Sequence, residues 1–305
     1  MTRAAVIGLG TMGPGIAATL ARAGMSVTAF DADAGQRAKA ARSFEMAADV
    51  LTRLGAAGQG SSAPIAVAES LAACVAGADL VLETVPEKLD LKIEVFRQVE
   101  AVVGKGCVLA SDTSGIPITK IQEGLAAPGR VVGMHWSNPP HIIPMIEVIA
   151  GEQTSPEVVR WVVEAVKRTG HLPVLIKKDV PGFVENRVLY AVMRECLDLV
   201  ENGVIDPEGL DACVSWGIGY KLAVVGPMAL LDMAGLDIYQ AVASYLNKEL
   251  SDRDDVSGYV TRRTAEKKLG MKTGGGIFNY TPERVAELQA ERARKLIAVR
   301  KALRD

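Results

Sequence analysis

The chain has 305 residues, 49% hydrophobic and 23% charged, with 34 Lys plus Arg against 36 Asp plus Glu for a formal net charge of −2. That length suits two domains of ordinary size, each with a core of its own. The balanced charge offers no argument for a polyanion-binding surface, so nucleic acid is not an expected partner.

Cys74, Cys107, Cys196 and Cys213 show neither metal-type spacing nor the density of a secreted disulfide framework. Reduced thiols in the cytoplasm are expected, and no metal. No apolar run approaches the roughly 20 residues needed to span a bilayer, and no signal-peptide pattern precedes the first strand; a soluble protein away from membranes is expected.

Ala4-Ala5-Val6-Ile7 is a short apolar strand that runs directly into Gly8-Leu9-Gly10-Thr11-Met12-Gly13 and then the helical pattern Ile16, Ala17, Leu20, Ala21. In such a strand, turn and helix the first glycine permits the tight turn. The second lets backbone approach a pyrophosphate, and the third allows close helix packing. Pro14 is tolerated because the first helical turn needs no amide hydrogen there. The next strand, Ser26 to Phe30, ends at Asp31, 18 residues past Gly13. A carboxylate there accepts hydrogen bonds from ribose hydroxyls and repels a 2′-phosphate, so NAD is expected over NADP. The structural alternative is an Asp that caps the following helix.

Residues 33–54 are expected to form a helix, followed by a Gly, Ala and Ser loop over 55–63 without Lys or Arg. A strand at 64–67, a helix at 69–76 and a buried strand at 79–83 continue the alternation, which implies a doubly wound, mostly parallel sheet. After Glu83 come Val85-Pro86-Glu87 and a helix bearing Lys92, polar groups at a strand's carboxyl end, where ligands of such sheets bind. A helix-start carboxylate and a solvated lysine are the competing account. The strand 107–110 empties into Ser111-Asp112-Thr113-Ser114-Gly115 before a helix starting at Pro117. Ser114 either donates its hydroxyl to a substrate oxygen or belongs to a helix cap.

Arg130 to Met134 reads as a buried parallel strand that delivers His135 and Asn138 to its end. Imidazole, with an ordinary pKa of about 6.5, takes and returns a proton near neutrality, so His135 is a candidate general base. Glu147 lies 12 residues on, beyond a bend at Pro139-Pro140, and would orient the imidazole. A core histidine and a surface glutamate are the plain alternative.

A helix at 155–168 and a strand at 173–176 follow, and the seam is expected near Lys177 to Gly182. Beyond it, 183–203, 206–216, 228–250, 256–269 and 282–304 read as helices. The expected fold class is therefore α/β: a Rossmann-like, mostly parallel sheet over 1–180, then an all-helical C-terminal domain over 181–305. The helix from 183 carries an apolar surface wider than one packing stripe requires, which predicts burial all round, partly by a second subunit. Asn186 sits among those residues and either faces the cleft or satisfies backbone. Trp216 and Met228 read as core.

The set Val85-Pro86-Glu87 with Lys92, Thr113-Ser114, His135 with Asn138-Pro139 and Glu147, Pro181-Gly182-Phe183 with Asn186-Arg187, and Leu269 to Gly274 resembles the L-3-hydroxyacyl-CoA dehydrogenase family over nearly the whole chain. The resemblance implies that His135 is the catalytic base paired with Glu147, and that Ser114 and Asn186 contact the reacting end of a small-molecule substrate. It also implies that Glu87, Lys92, Asn138 and Lys272 line the NAD site with residues 8–13 and Asp31, and that the helical domain forms a homodimer.

Four features depart from the family pattern. The 55–68 segment lacks the lysines that help hold CoA, Asp112 stands for the usual asparagine, Trp136-Ser137 replaces an aromatic or apolar pair, and Glu185 adds a carboxylate. Residues 111–117 and 135–141 are similar to a family member that oxidises a pyridine aldehyde carboxylate in vitamin B6 breakdown. Hydride transfer to NAD from an alcohol or aldehyde hydrate is expected, on a small carboxylate without CoA. An L-3-hydroxyacyl-CoA substrate is the alternative. A noncatalytic NAD-binding protein, and a β-hydroxyacid dehydrogenase relying on Lys221, are the other rivals.

Overall fold

In the computed structural model, alternate residues of the first strand feed opposite cores, and the sheet grows outward from that strand. The structure describes residues 1–55 and 64–303, so the basic-residue-free loop, apart from Gly55, lies outside the described residues. β1 (Arg3–Ile7) pairs in parallel with β2 (Ser26–Phe30) on one side and, on the other, with the strand that follows the next two helices. Ala4 and Val6 enter one core while Ala5 and Ile7 enter the second, the period-2 alternation of a strand covered on both faces.

The remaining elements of this layer are α1 (Gly13–Arg22), α2 (Ala34–Arg53), β3 (Ala66–Val67), α3 (Leu71–Val75), β4 (Leu80–Glu83), α4 (Leu89–Glu100), β5 (Val108–Ser111), α5 (Ile118–Gln122), β6 (Val131–Trp136), β7 (Met145–Ala150), α6 (Pro156–Arg168) and β8 (Leu172–Ile176). The eight strands run in the order β3-β2-β1-β4-β5-β6-β7-β8. Chain order reverses at β1, so a crevice is expected beyond the carboxyl ends of β1 and β4. Ile16, Leu20, Phe44, Val162 and Val166 from α1, α2 and α6 cover one face. Phe96, Val99, Ile118 and Ile121 from α4 and α5 cover the other. Asp33 caps α2 by accepting from Gly35 N, and Ser155 caps α6 by accepting from Val158 N.

One strand was not expected. The stretch after Pro139-Pro140 reads as a simple return of the chain, but Met145–Ala150 is β7, antiparallel to β6 and the only antiparallel neighbour among the described strands. A buried glutamate interrupts its apolar run, which hides the strand pattern. His135 accordingly lies within β6 rather than past its end.

The chain divides into two compact units, the first Met1–Asn186 with Leu296–Arg300 and the second Arg187–Lys295 with the residues from Lys301. The second is helical, with α7 (Glu185–Glu201) entering it from the seam. α8 (Pro207–Cys213) runs through a π-helical stretch, Val214–Gly219, into α9 (Tyr220–Leu222). α10 (Pro227–Ala234), α11 (Leu236–Leu246), α12 (Gly258–Ala265) and α13 (Pro282–Ala302) follow. The single helix expected over 228–250 is broken at Gly235, whose φ of 98° suits glycine and interrupts the helical ladder.

The expected all-round burial of α7 does not occur within the chain: Val188 is 59% exposed, Tyr190 71% and Met193 49%. Trp216 at 75% and Met228 at 69% are likewise surface residues, not core. Among the described residues no single helix is long and apolar enough to cross a membrane.

Candidate active site

The glycine turn behaves as its spacing predicts. Gly8 has φ 100°, and a side chain there would strike Thr84, whose hydroxyl donates to Gly8 O at 2.9 Å. A Cβ on Gly13 would run into the Gly8 carbonyl, whereas one on Gly10 would meet nothing within 4 Å. Two glycines are therefore needed by the protein's own packing, and the third leaves open space beside exposed backbone. Asp31 follows the end of β2, accepting from Leu9 N at 2.7 Å and from Asp33 N at 2.8 Å. Each carboxylate oxygen keeps lone-pair capacity for a ribose hydroxyl. This cradle, with α1 starting at its edge, fits a dinucleotide pyrophosphate and adenosine ribose.

Behind it lies a buried ionic anchor. Lys92 is 1% exposed, not solvated; its ammonium meets Glu83 Oε1 at 2.8 Å, Val85 O at 3.2 Å and Glu87 Oε2 at 3.4 Å. Those three partners match its three N–H groups, so Lys92 acts on its surroundings through Glu87. Glu87 Oε1 accepts from Thr113 Oγ1 at 2.6 Å and from the amides of Ser114 and Gly115 at 3.0 Å each. Burial opposes the Glu87 carboxylate, but Thr113, Lys92 and the amide bonds outweigh it and hold its pKa below the usual range. The pair thus fixes the turn that presents the exposed Ser114. Glu83 itself is pushed up by burial, against the pull of Lys92.

His135 and Glu147 face each other in register across β6 and β7. Nδ1 of His135 lies 2.7 Å from Glu147 Oε2, with the imidazole 5% exposed and Glu147 1%. Glu147 Oε1 accepts from the amides of Val184 and Glu185 at 3.0 Å each. An ionised Glu147 favours the tautomer with hydrogen on Nδ1, which leaves Nε2 with a lone pair able to accept a proton. Burial disfavours the imidazolium, yet the Glu147 hydrogen bond and the charges of Asp112, Glu147 and Glu185 raise the His135 pKa above its ordinary value. Asp112 exerts its pull only when ionised, and burial pushes its own pKa up to about 8. At neutral pH the glutamates therefore carry the effect.

Asn186 joins this group: its side-chain amide donates to Ser114 O at 2.6 Å. Ser137 donates to Glu185 Oε2, and ligand atoms of His135, Glu147 and Glu185 lie within 4.8 Å of one another. That is a cation-sized cluster, but its closest nitrogen–oxygen pair is committed to the imidazole bond. Asn138 is exposed beyond β6, and Lys272 lies in a 3-10 turn, Met271–Thr273, of the second unit. Trp136, one of the departures from the family pattern, points to the opposite face of β6; it is 2% exposed and packs edge-on against His171. Asp112 instead accepts from Trp136 N at 2.8 Å. Glu83 and Ser137 were not singled out as site residues. A carboxylate closing an otherwise apolar strand was the available signal for Glu83.

The 3-hydroxyacyl-CoA dehydrogenase NAD binding domain model matches residues 3–180, and the C-terminal domain model of that family matches 182–280. The 5-formyl-3-hydroxy-2-methylpyridine 4-carboxylate 5-dehydrogenase of Mesorhizobium japonicum is 57% identical over 303 residues, 98% of this chain and 97% of that protein. An L-carnitine dehydrogenase of Nocardiopsis dassonvillei is 32% identical over 99% of this chain and 91% of its own. The crystal structure of a 5-formyl-3-hydroxy-2-methylpyridine 4-carboxylic acid 5-dehydrogenase, described as an NAD+ dependent dismutase, superimposes with a TM-score of 0.97 at 56% identity, covering 100% of this chain and 99% of that one. A (S)-3-hydroxybutyryl-CoA dehydrogenase from Ralstonia eutropha gives 0.72 at 30% identity, over 92% and 99% of the two chains. Fold and site together define an NAD-dependent dehydrogenase, an oxidoreductase built on a Rossmann-like domain. The chain belongs to the 3-hydroxyacyl-CoA dehydrogenase family.

Proposed function

We propose that the chain oxidises the aldehyde of a small pyridine carboxylate, as its hydrate, with NAD+ as hydride acceptor, in vitamin B6 breakdown. The observation that carries this reading is the 57% identity to the Mesorhizobium japonicum enzyme over nearly both full lengths, with the His135–Glu147 pair in bonding geometry. The lack of Lys and Arg in residues 55–68 supports a substrate without CoA, whose phosphates would find little charge there.

On this reading NAD supplies a nicotinamide that accepts hydride from the substrate carbon. Residues 8–13 take the pyrophosphate and Asp31 the ribose, while Glu87, anchored by Lys92, shapes the next turn; Asn138 and Lys272 complete the cofactor set. His135 Nε2 removes a hydroxyl proton from the hydrate, and Glu147 stabilises the resulting imidazolium. Ser114 and Asn186 hold the substrate oxygen. Residues 1–180 serve as the cofactor domain and 181–305 as the substrate-cleft and dimerisation domain. The exposed apolar face of α7 supports a homodimer.

The test is NADH formation by purified protein with pyridine aldehyde carboxylates, L-carnitine and L-3-hydroxybutyryl-CoA in parallel, and with His135→Gln as control. Turnover confined to the pyridine aldehydes is expected, with His135→Gln slower by about 10²–10⁴-fold. Preferred turnover of the thioester would overturn the substrate assignment.

A further inference from the structure

Two departures from the family pattern, Ser137 and Glu185, are 48 residues apart and touch: the serine hydroxyl donates to Glu185 Oε2. Their contact lies beside the catalytic pair, with a Glu185 oxygen within 4.8 Å of ligand atoms of both His135 and Glu147. Ser137 is buried whereas Glu185 is only partly so. Glu147 cannot pass a proton outward: it is 1% exposed, and its oxygens already accept from His135 and two backbone amides. Glu185 is the carboxylate of this cluster that combines nearness to the imidazole with access to water.

The proposed reaction gives such a group a task. An alcohol oxidised to a ketone yields one hydride to NAD+ and one proton. An aldehyde first adds water across its C=O bond to give a hydrate. The hydrate then loses hydride from carbon and a proton from oxygen, giving a carboxylic acid that ionises. The sum is RCHO + H2O + NAD+ → RCOO− + NADH + 2 H+. The two electrons leave with the hydride, the oxygen comes from water, and two protons must reach solvent from a buried site in each turnover.

We propose that Glu185, held by Ser137, is the proton outlet of His135, accepting its proton through water and releasing it to solvent. This rests on the aldehyde-hydrate reading above. Glu185 acts through His135 and is therefore a positioning and relay residue, not the base. Its charge also raises the His135 pKa, alongside the Glu147 hydrogen bond and the charges of Glu147 and Asp112.

The experiment compares Glu185→Gln and Ser137→Ala with the unsubstituted protein, each with NADH affinity and thermal melting checked first. Glu185→Gln is expected to lower kcat for the pyridine aldehyde carboxylate about 10–100-fold, a fraction of a full acid-base contribution. NADH affinity should stay unchanged, and added imidazole or formate at constant ionic strength should restore much of the rate. Ser137→Ala, which leaves the carboxylate unpinned, should lose less and be rescued in the same way.

In the ligand-free protein, the NMR titration of His135 should move to lower pH in Glu185→Gln, a readout independent of turnover. Wild-type kcat in Glu185→Gln, or a loss that small buffers do not restore, overturns the relay. If Glu185→Gln does not fold, an unimpaired or unrescued Ser137→Ala overturns it instead. Failure of the unsubstituted protein to oxidise any pyridine aldehyde sinks the substrate reading, which is a separate outcome.

Discussion

Glu147 sits directly opposite His135 in the β6–β7 ladder, with Oε2 2.7 Å from Nδ1, so a backbone register sets the geometry of the proposed catalytic pair. Rigid strands hold both partners, whereas a loop-borne carboxylate would need its own support.

The pair predicts a signed pH effect. As the proposed base His135 must be neutral, and its pKa lies above the ordinary 6.5, so kcat/KM is expected to fall as pH drops through that raised value. Glu147→Gln removes the charge-assisted bond and lowers the His135 pKa. The acid limb should therefore move to lower pH while the plateau falls about 10²-fold or more. A pH profile of kcat/KM checks this, and an unmoved limb would contradict it.

Asp112 predicts a stability effect. Burial pushes its pKa from 3.8 to about 8, so between those values the folded protein keeps a proton that the unfolded chain has released. Stability therefore declines as pH rises through that window and levels off above it. Asp112→Asn can keep the acceptor for Trp136 N and removes the titration. The variant should gain stability progressively from pH 4 to 8, on the order of a few kcal/mol at the upper end. Urea unfolding at pH 5 and pH 8 measures it; equal gains at both would refute the assignment.

Lys92 and Glu83 form a buried pair, with side chains 1% and 0% exposed. Lys92→Met leaves a buried carboxylate without its cation and should cost about 3–5 kcal/mol. The loss should be smaller in acid, where Glu83 takes a proton, and partly recovered in Lys92→Met with Glu83→Gln. A double-mutant cycle by urea unfolding reads the coupling.

Much of the cofactor cradle was legible because its constraints are local. A turn that needs φ 100° at Gly8, and a Cβ-free Gly13 against the Gly8 carbonyl, leave a spacing visible in a single stretch. The strands β1, β2, β4, β5 and β6 were legible from apolar runs for the same reason. β7 was not, because Glu147 interrupts its run and is tolerated only by burial against His135 and two amides. For Lys92 a solvated helix residue stayed open as the competing account, because its partners, Glu83 and Val85 O, are gathered by the fold.

By itself the sequence determined the strand, glycine turn and helix, the acidic end of β2, the alternation of strands and helices, and the residue types available for proton transfer. Tertiary structure decided which of them meet. His135 and Trp136 are neighbours in the chain, yet strand alternation sends one to the pair with Glu147 and the other into the core behind it. Which face holds the chemistry depends on the helices that cover the sheet. The meeting of Ser137 with Glu185 depends on contacts between segments far apart in the chain. Such contacts follow from packing the whole domain, and no local pattern encodes them.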